Sequence, residues 1–146
     1  MSRTALTLIT LLLVSGCEDP FIVFAGGELS GQVVPAPEDW ADVVAIDTVQ
    51  LETQPEDPYS INIWIANVGE DLYVATGDDG TNWTEHINAS AKVRLRANDN
   101  LYLLEAYLVH DDAERSRVSQ AYVRKYDLDE GDNWVMEGMI FRLDRP

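Results

Sequence analysis

The chain has 146 residues and a formal net charge of −16, from 26 acidic and 10 basic residues. Such an excess of negative charge repels the phosphate backbone of DNA and RNA, which argues against nucleic-acid binding. The length is enough for one domain with a hydrophobic core, and the single cysteine excludes an internal disulfide. The charge is also uneven, because residues 4–91 contain no Lys or Arg whereas nine basic residues follow from Lys92 onward.

The first 17 residues have the composition of an export signal. Arg3 gives a positive start, residues 5–14 form an apolar run broken only by two threonines, and the small residues Ser15 and Gly16 precede Cys17. About 20 apolar residues are needed to span a bilayer, so this shorter run indicates a signal rather than a transmembrane helix. The pattern resembles the lipobox of bacterial lipoproteins. That resemblance implies cleavage before Cys17, a diacylglyceryl thioether on its sulfur, and acylation of the new N-terminus.

Several acyl chains make a firm membrane anchor, because each buried methylene contributes about 0.8 kcal/mol. We therefore expect a lipid-anchored protein of the bacterial cell envelope that faces the periplasm or the exterior. The choice between inner and outer membrane stays open, because Glu18 occupies the position where an aspartate favours inner-membrane retention in enteric bacteria. The expected organisation is a signal peptide over 1–16, a lipidated N-terminus and tether over 17–37, and a domain over 38–146.

The sequence of the domain predicts a helical turn that opens at 37–40, followed by six short strands and two helices. Ile61, Ile63 and Ile65 alternate with other residues as in a strand with one buried face. Val118, Ala121 and neighbours at spacings of three and four predict one face of a helix that Asp111 caps. The predicted strands are 43–53, 60–68, 72–76, 92–97, 101–109 and 134–143, and the helices are 82–89 and 112–126. Short antiparallel strands joined by tight turns favour a small barrel.

Residues 62–126 carry a family resemblance. Its elements are Ile63-Trp64-Ile65, LYVATG at 72–77, Trp83, KVRL at 92–95, YLLEA at 102–106, and AYVRKY at 121–126. They resemble the split β-barrel proteins, which include the pyridoxamine 5′-phosphate oxidase superfamily and flavin- and deazaflavin-dependent nitroreductase-like proteins, and within them a DUF2255-like branch. The resemblance implies a mainly β fold, a six-stranded antiparallel Greek-key split barrel, a homodimer, and FMN or a deazaflavin in a groove at the dimer interface.

The resemblance also implies cofactor-binding residues, for which the candidates are Thr76, Trp83, Lys92 and Arg94. In the relatives, part of the phosphate site comes from the passage matching residues 76–88. Here that passage carries two carboxylates, at 78 and 79, and no basic residue, so it would repel a phosphate.

The basic residues Lys92, Arg94 and Arg96 are spaced by two, which places them on one face of a strand. Two interpretations remain open. They form an anion site, or they line an outer barrel face with cross-strand partners such as Glu105.

The sequence gives little indication of a metal site or of a catalytic nucleophile. His86 and His110 are the only histidines, and neither has a second histidine or a cysteine at ligand spacing, so no zinc site is predicted. The acidic run 127–133 departs from an EF-hand, with its glycine one position early and Gly138 where the bidentate glutamate is needed. No motif orders a nucleophile and a base.

Two functions follow from the sequence. The first is a membrane-anchored envelope lipoprotein whose barrel is a non-catalytic binding or structural module with weakened or lost flavin binding. The alternative is an FMN- or deazaflavin-dependent oxidoreductase in the envelope. A peptide- or protein-binding module that uses a barrel edge also stays open.

Overall fold

A computed structural model describes residues 26–129 and 131–146 of the chain. The predicted signal peptide, the lipidation residue Cys17 and the first part of the tether lie outside the described residues. The described part of the tether packs against the domain rather than standing apart from it, since Leu29 is only 7% exposed.

Seven strands and four helices make up the described residues. The strands are β1 (Gln32–Val33), β2 (Thr48–Thr53), β3 (Tyr59–Val68), β4 (Asp71–Thr76), β5 (Lys92–Ala97), β6 (Asn100–Leu108) and β7 (Met139–Asp144). The helices are α1 (Ala41–Val44), α2 (Asn82–Ala89), α3 (Asp112–Tyr126) and α4 (Trp134–Glu137).

The strands close into a six-stranded antiparallel barrel in the order β6-β5-β2-β3-β4-β7, with β7 pairing back onto β6. This confirms the predicted mainly β split barrel. The short β1 adds a parallel pairing to the start of β6, outside the barrel proper. The two predicted helices are α2 and α3, and α1 and α4 are two further helices of one turn each.

Two predicted strands begin later in the chain than the sequence indicated. The strand predicted from residue 43 starts at Thr48, because residues 41–44 form α1 and bury Val43 in the barrel core. The strand predicted from residue 134 starts at Met139, because residues 134–137 form α4 and bury Val135 beside α3. In both places a single helical turn carries the apolar side chains that suggested a strand. The helical turn predicted at 37–40 lies just after Trp40 instead.

Two apolar clusters stabilise the fold. One fills the barrel, and Trp40 packs edge-on against Tyr102 within it, with ring centroids 5.3 Å apart. The other lies between α3 and the outer faces of β3, β4 and β7, around Tyr73, Tyr122 and Ile140. The helix α3 covers that side of the barrel. The basic residues of β5 lie on the other outer face, which β2, β5 and β6 form.

In the ranges 26–129 and 131–146, no helix combines the length and the apolar character needed to cross a bilayer.

Candidate functional site

The basic residues of β5 form a cationic stripe, defined here as Lys92, Arg94 and Arg96. Their three neighbours on the strand, at 93, 95 and 97, are buried inside the barrel. The basic side chains therefore point outward on one face, as their spacing predicted.

Arg94 is paired with a buried carboxylate. Glu52 lies opposite it in the β2–β5 register. The Nε of Arg94 donates to Oε1 of Glu52 at 2.6 Å, and Nη2 donates to Oε2 at 2.8 Å. This two-point geometry is the stronger form of an arginine–carboxylate pair. The Glu52 side chain is 1% exposed and that of Arg94 is 20% exposed, so the carboxylate is the more deeply buried partner.

A segment before the barrel covers this pair. Residues 26–34, here called the strap, begin at an antiparallel bridge between Gly26 and Ser60 and end with β1 on β6. The backbone N–H of Leu29 donates to Oε2 of Glu52 at 2.5 Å. Oε1 of Glu28 lies 3.2 Å from Nη2 of Arg94, although the Glu28 side chain is 71% exposed. The strap therefore contributes one buried contact and one exposed contact to the same ion pair.

The electrostatics keep Arg94 charged. Burial of the guanidinium would by itself lower the pKa of Arg94, but the hydrogen bonds and charges of Glu52 and Glu28 outweigh it and raise that pKa above its usual value. Removing one partner of such a buried pair leaves an uncompensated charge, which is strongly unfavourable. The pair is thus a fixed structural element of this face.

The other two basic residues of the stripe have weaker partners. Arg96 donates to Oε1 of Gln50 at 3.0 Å and lies 3.6 Å from Asp99, whose side chain is 98% exposed. Lys92 lies opposite Glu105 in the β5–β6 register, the partner that the cross-strand interpretation named. Lys92 makes no ion pair within 4.0 Å among the residues that the structure describes.

Thr76 and Trp83 lie away from the stripe. Thr76 ends β4, which is separated from β5 by β2 and β3 around the barrel. Trp83 is 4% exposed and packs against Phe141 in the barrel core, with ring centroids 5.4 Å apart. The structure therefore brings Lys92 and Arg94 onto one face but does not bring Thr76 or Trp83 to it.

The AYVRKY run of α3 has a structural role. Nζ of Lys125 donates to the carbonyl oxygens of Ile46 and Ile65 at 2.8 and 2.7 Å, and burial lowers the pKa of Lys125. The Tyr126 ring stacks on Trp64 with centroids 4.3 Å apart. These contacts attach the end of α3 to the barrel. The matching segment at 121–126 therefore has a packing role in this protein.

The described histidines and carboxylates provide no metal centre. Nowhere in residues 26–129 and 131–146 do three or more His, Cys, Asp or Glu side chains converge in a way that would hold an ion. Nδ1 of His86 lies 3.0 Å from Oγ1 of Thr53, a hydroxyl on a fully buried residue. A surface cleft of about 430 Å³ lies between α3 and α4.

Sequence reasoning did not identify Glu52, Glu28 or Leu29 as part of this site. Glu52 lies two residues after Gln50 in β2 and therefore points to the same outer face of the strand. That position by itself predicts an exposed side chain. Its burial comes from the strap, 23 residues earlier in the chain. The sequence signal that could have suggested this pair was weak: the first basic cluster of the chain, in β5, comes three strands after Glu52 in β2.

Solved structures share this fold at low sequence identity. A protein from Bacteroides thetaiotaomicron, whose name proposes 5-nitroimidazole antibiotic resistance, superposes with a TM-score of 0.58 at 12% identity over 83% of this chain and 82% of that one. A Listeria innocua protein, whose name proposes a pyridoxamine 5′-phosphate oxidase, gives 0.54 at 14% over 70% and 86%. A FAD-binding protein from Mesorhizobium loti gives 0.54 at 15% over 71% and 83%.

At these identities the likeness establishes the fold alone, which is the split barrel of pyridoxamine 5′-phosphate oxidase-like proteins. No protein-family model matches the sequence, and a comparison with curated proteins found no match.

Proposed function

We propose that this chain is a lipid-anchored envelope protein whose split barrel is a non-catalytic binding or structural module with weakened or lost flavin binding. The observation that carries the proposal is the pairing of Arg94 with Glu52 and Glu28. The best-placed cation for a cofactor phosphate is already bound to carboxylates of the same chain.

A phosphate at Arg94 would meet unfavourable electrostatics. It would lie beside Glu52, a carboxylate that is 1% exposed and cannot turn to solvent. Like charges at close range in a partly desolvated site repel strongly. The loop after β4 adds Asp78 and Asp79 and no basic residue. The side chains that the resemblance assigned to a cofactor do not converge within one protomer, because Trp83 lies in the core.

The cofactor experiment is direct. Residues 18–146 are produced without the signal, their visible spectrum is recorded, and FMN and a deazaflavin are titrated in. We expect no flavin absorbance and no micromolar binding. Flavin bands in the purified protein, or micromolar binding of either cofactor, would overturn the non-catalytic proposal.

The oxidoreductase alternative is favoured by one observation, the fold shared with a FAD-binding protein. In that case the cofactor supplies the redox chemistry and the protein supplies position and electrostatics. Lys92 and Arg94 would then be the contacts to test, with Thr76 and Trp83 second. The same titration decides between the two functions.

We further propose the finer parts of the assignment: the DUF2255-like branch, attachment through Cys17 and a place in the cell envelope. They are supported by the composition of residues 1–17 and by the 62–126 resemblance. Cys17→Ser is expected to abolish labelling by a fatty-acid probe in the native host, with Ser2→Ala as a control that keeps it. Labelling that persists in Cys17→Ser would refute lipidation at this residue.

We also propose that the protein is a homodimer, and one exposed surface on β6 and β7 supports this. Leu103 and Tyr107 are 47% and 45% exposed and share the outer face of β6. Arg142 and Asp144 lie beside them on β7 in the strand register and bind each other at 2.6 Å. Glu105 lies between Leu103 and Tyr107 on the same face and accepts from the Tyr107 hydroxyl at 2.5 Å, so the surface combines apolar area with paired polar groups, as subunit interfaces do.

A further inference from the structure

The cleft between α3 and α4 is lined by hydrogen-bonding groups, by two opposite charges and by two apolar side chains. Its α3 wall carries two serines, a glutamine, Val123 and Arg124, and its other wall carries Asp132, Asn133 and Met136. Its volume of about 430 Å³ lies within the range of about 300–1,000 Å³ that is typical of small-molecule sites. The cleft is therefore large enough to hold a small molecule.

Both walls of the cleft are held by the core of the domain. The opposite face of α3 buries Val118 and Tyr122 in the same apolar cluster that buries Val135 of α4. Nη2 of Arg115 donates to the carbonyl oxygen of Met136 at 2.6 Å, which attaches α4 to α3 directly. The walls are thus fixed in the free protein, as they are in most small-molecule sites.

Arg124 and Asp132 are the charged members of the lining, and they belong to different walls. They do not pair with each other, since no nitrogen of Arg124 lies within 4.0 Å of a carboxylate oxygen of Asp132. Among the residues that the structure describes, the Asp132 carboxylate accepts one long hydrogen bond, at 3.4 Å from the Trp134 amide. A guanidinium and a carboxylate that line one cavity without neutralising each other favour a ligand that carries both charges.

We propose that this cleft binds an aliphatic zwitterion, which is either a free α-amino acid or a short peptide. The carboxylate of the ligand binds the planar guanidinium of Arg124, and its ammonium group binds Asp132. Its apolar side chain packs on Val123 and on Met136, whose flexible thioether adapts to different shapes. The proposal rests on the proposed function in one respect, because it supplies the ligand of a non-catalytic binding module.

The charge of the whole protein shapes the choice of probes. A net charge of −16 attracts any small cation to the surface and repels any small anion. A zwitterion carries no net charge, so its binding depends on the local pair of charges in the cleft. Ligands that lack one of the two charges therefore separate specific binding from general attraction.

The test uses the full chain in detergent micelles, with leucine and leucyl-leucine as probes and the backbone amide shifts of α3 and α4 as the readout. Saturable shifts confined to these two helices are expected, and the tighter of the two probes identifies the free amino acid or the peptide as the ligand. N-acetyl-leucine lacks the ammonium charge and leucinamide lacks the carboxylate, so each is expected to bind more weakly than leucine. The absence of saturable shifts with both zwitterions would overturn the proposal.

Variants that remove one charge assign the contacts. Asp132→Asn is expected to weaken leucine binding about two- to fivefold, as the loss of an exposed charge contact does, and not to weaken the binding of N-acetyl-leucine. Arg124→Gln is expected to weaken leucine binding by a similar factor and not to weaken that of leucinamide. Arg117→Gln removes the same charge from an exposed position of α3 outside the cleft lining, so leucine binding is expected to stay unchanged.

Two results would contradict these contacts and with them the proposal. The first is an equal loss of leucine affinity in Arg124→Gln and Arg117→Gln. The second is a loss of N-acetyl-leucine affinity in Asp132→Asn as large as the loss for leucine. Binding of FMN by the wild-type chain would defeat the proposed function instead, and it leaves the leucine comparison intact because the cleft and the cationic stripe lie on different elements.

Discussion

Glu52 and Arg94 are unequally exposed, and this difference determines which of them is harder to remove. Arg94→Met leaves a carboxylate that is 1% exposed without its counter-ion, and we expect a loss of about 3–5 kcal/mol in the free energy of unfolding. Glu52→Gln keeps an acceptor for the Leu29 amide and leaves an arginine that can reach water, so we expect a smaller loss of about 1–3 kcal/mol. Urea denaturation measures both.

The double variant Glu52→Met with Arg94→Met is the control for this asymmetry. Because it removes both charges, it is expected to be more stable than Arg94→Met alone. A larger loss in Glu52→Gln than in Arg94→Met would contradict the proposed role of burial.

Three tyrosines make stability fall at alkaline pH. Burial raises the pKa of Tyr73 and of Tyr122, and it raises that of Tyr126 to about 12. In the unfolded chain each hydroxyl titrates near pH 10. The stabilisation is therefore fully present below pH 10 and is lost as the pH rises above it, at up to about 1.4 kcal/mol per pH unit for each group.

The measurement is the free energy of unfolding between pH 8 and pH 11.5, with tyrosinate absorbance followed alongside. Absorbance from these three side chains is expected to appear together with unfolding. The hydrogen bond to Glu105 also raises the pKa of Tyr107, but this hydroxyl is exposed to solvent, so Tyr107→Phe is expected to change the pH dependence less than Tyr126→Phe does. Full tyrosinate absorbance in a chain that is still folded would contradict the prediction.

For individual residues, sequence patterns predicted the structure correctly where the interaction partner is near in sequence. The Asp111 side chain accepts from the Glu114 amide at 2.7 Å, as an N-cap does, and the stripe faces outward. Local rules missed Glu52, because a carboxylate in a strand is buried only when distant segments bring its partners. No periodicity in the sequence carries that information.

Among the elements, the junction between α4 and β7 is closely packed. A Cβ on Gly138 would overlap the carbonyl oxygen of Thr76 and lie 2.7 Å from that of Trp134. Both neighbours are backbone atoms, so neither can turn away. Gly138→Ala is expected to cost about 1–3 kcal/mol or more in thermal or urea unfolding, as overpacking does.

Gly77→Ala is the matched control, since a Cβ there meets nothing within 4 Å. It is expected to change stability by less than about 0.5 kcal/mol, as substitutions away from packed contacts usually do. Equal stability of the two variants would show that the junction can relax.

The elements that sequence predicted well are those with several periods of a pattern. The strand around Ile63 spans ten residues and carries alternating isoleucines at 61, 63 and 65, and α3 spans fifteen residues, so their types were evident. The helices α1 and α4 have four residues each, about one turn. One turn contains too few positions for a 3.6-residue period to be distinguished from alternation.

For the molecule as a whole, the exposed apolar pair on β6 predicts the oligomeric state. Leu103→Glu places a charge at the centre of the proposed dimer surface and is expected to shift the protein to monomers in sedimentation equilibrium. Ala113→Glu adds the same charge at an exposed position of α3, away from that surface, and is expected to leave the dimer intact. A monomeric wild-type chain, or a dimeric Leu103→Glu, would refute this surface.

The arrangement of the strap has a mechanical consequence. Tension on the chain from its N-terminal side reaches Gly26 first, then the Leu29 amide, and only then β1. These contacts bear the load one after another, whereas the long barrel strands bear it together. The strap would therefore peel away at low force and lengthen the linkage by roughly 30 Å over its nine residues. In a single-molecule pulling experiment this extension is expected as a separate step before the barrel unfolds, and a single all-or-none event would contradict it. If Cys17 carries the proposed lipid anchor, traction from the membrane would release the strap while the barrel stays folded.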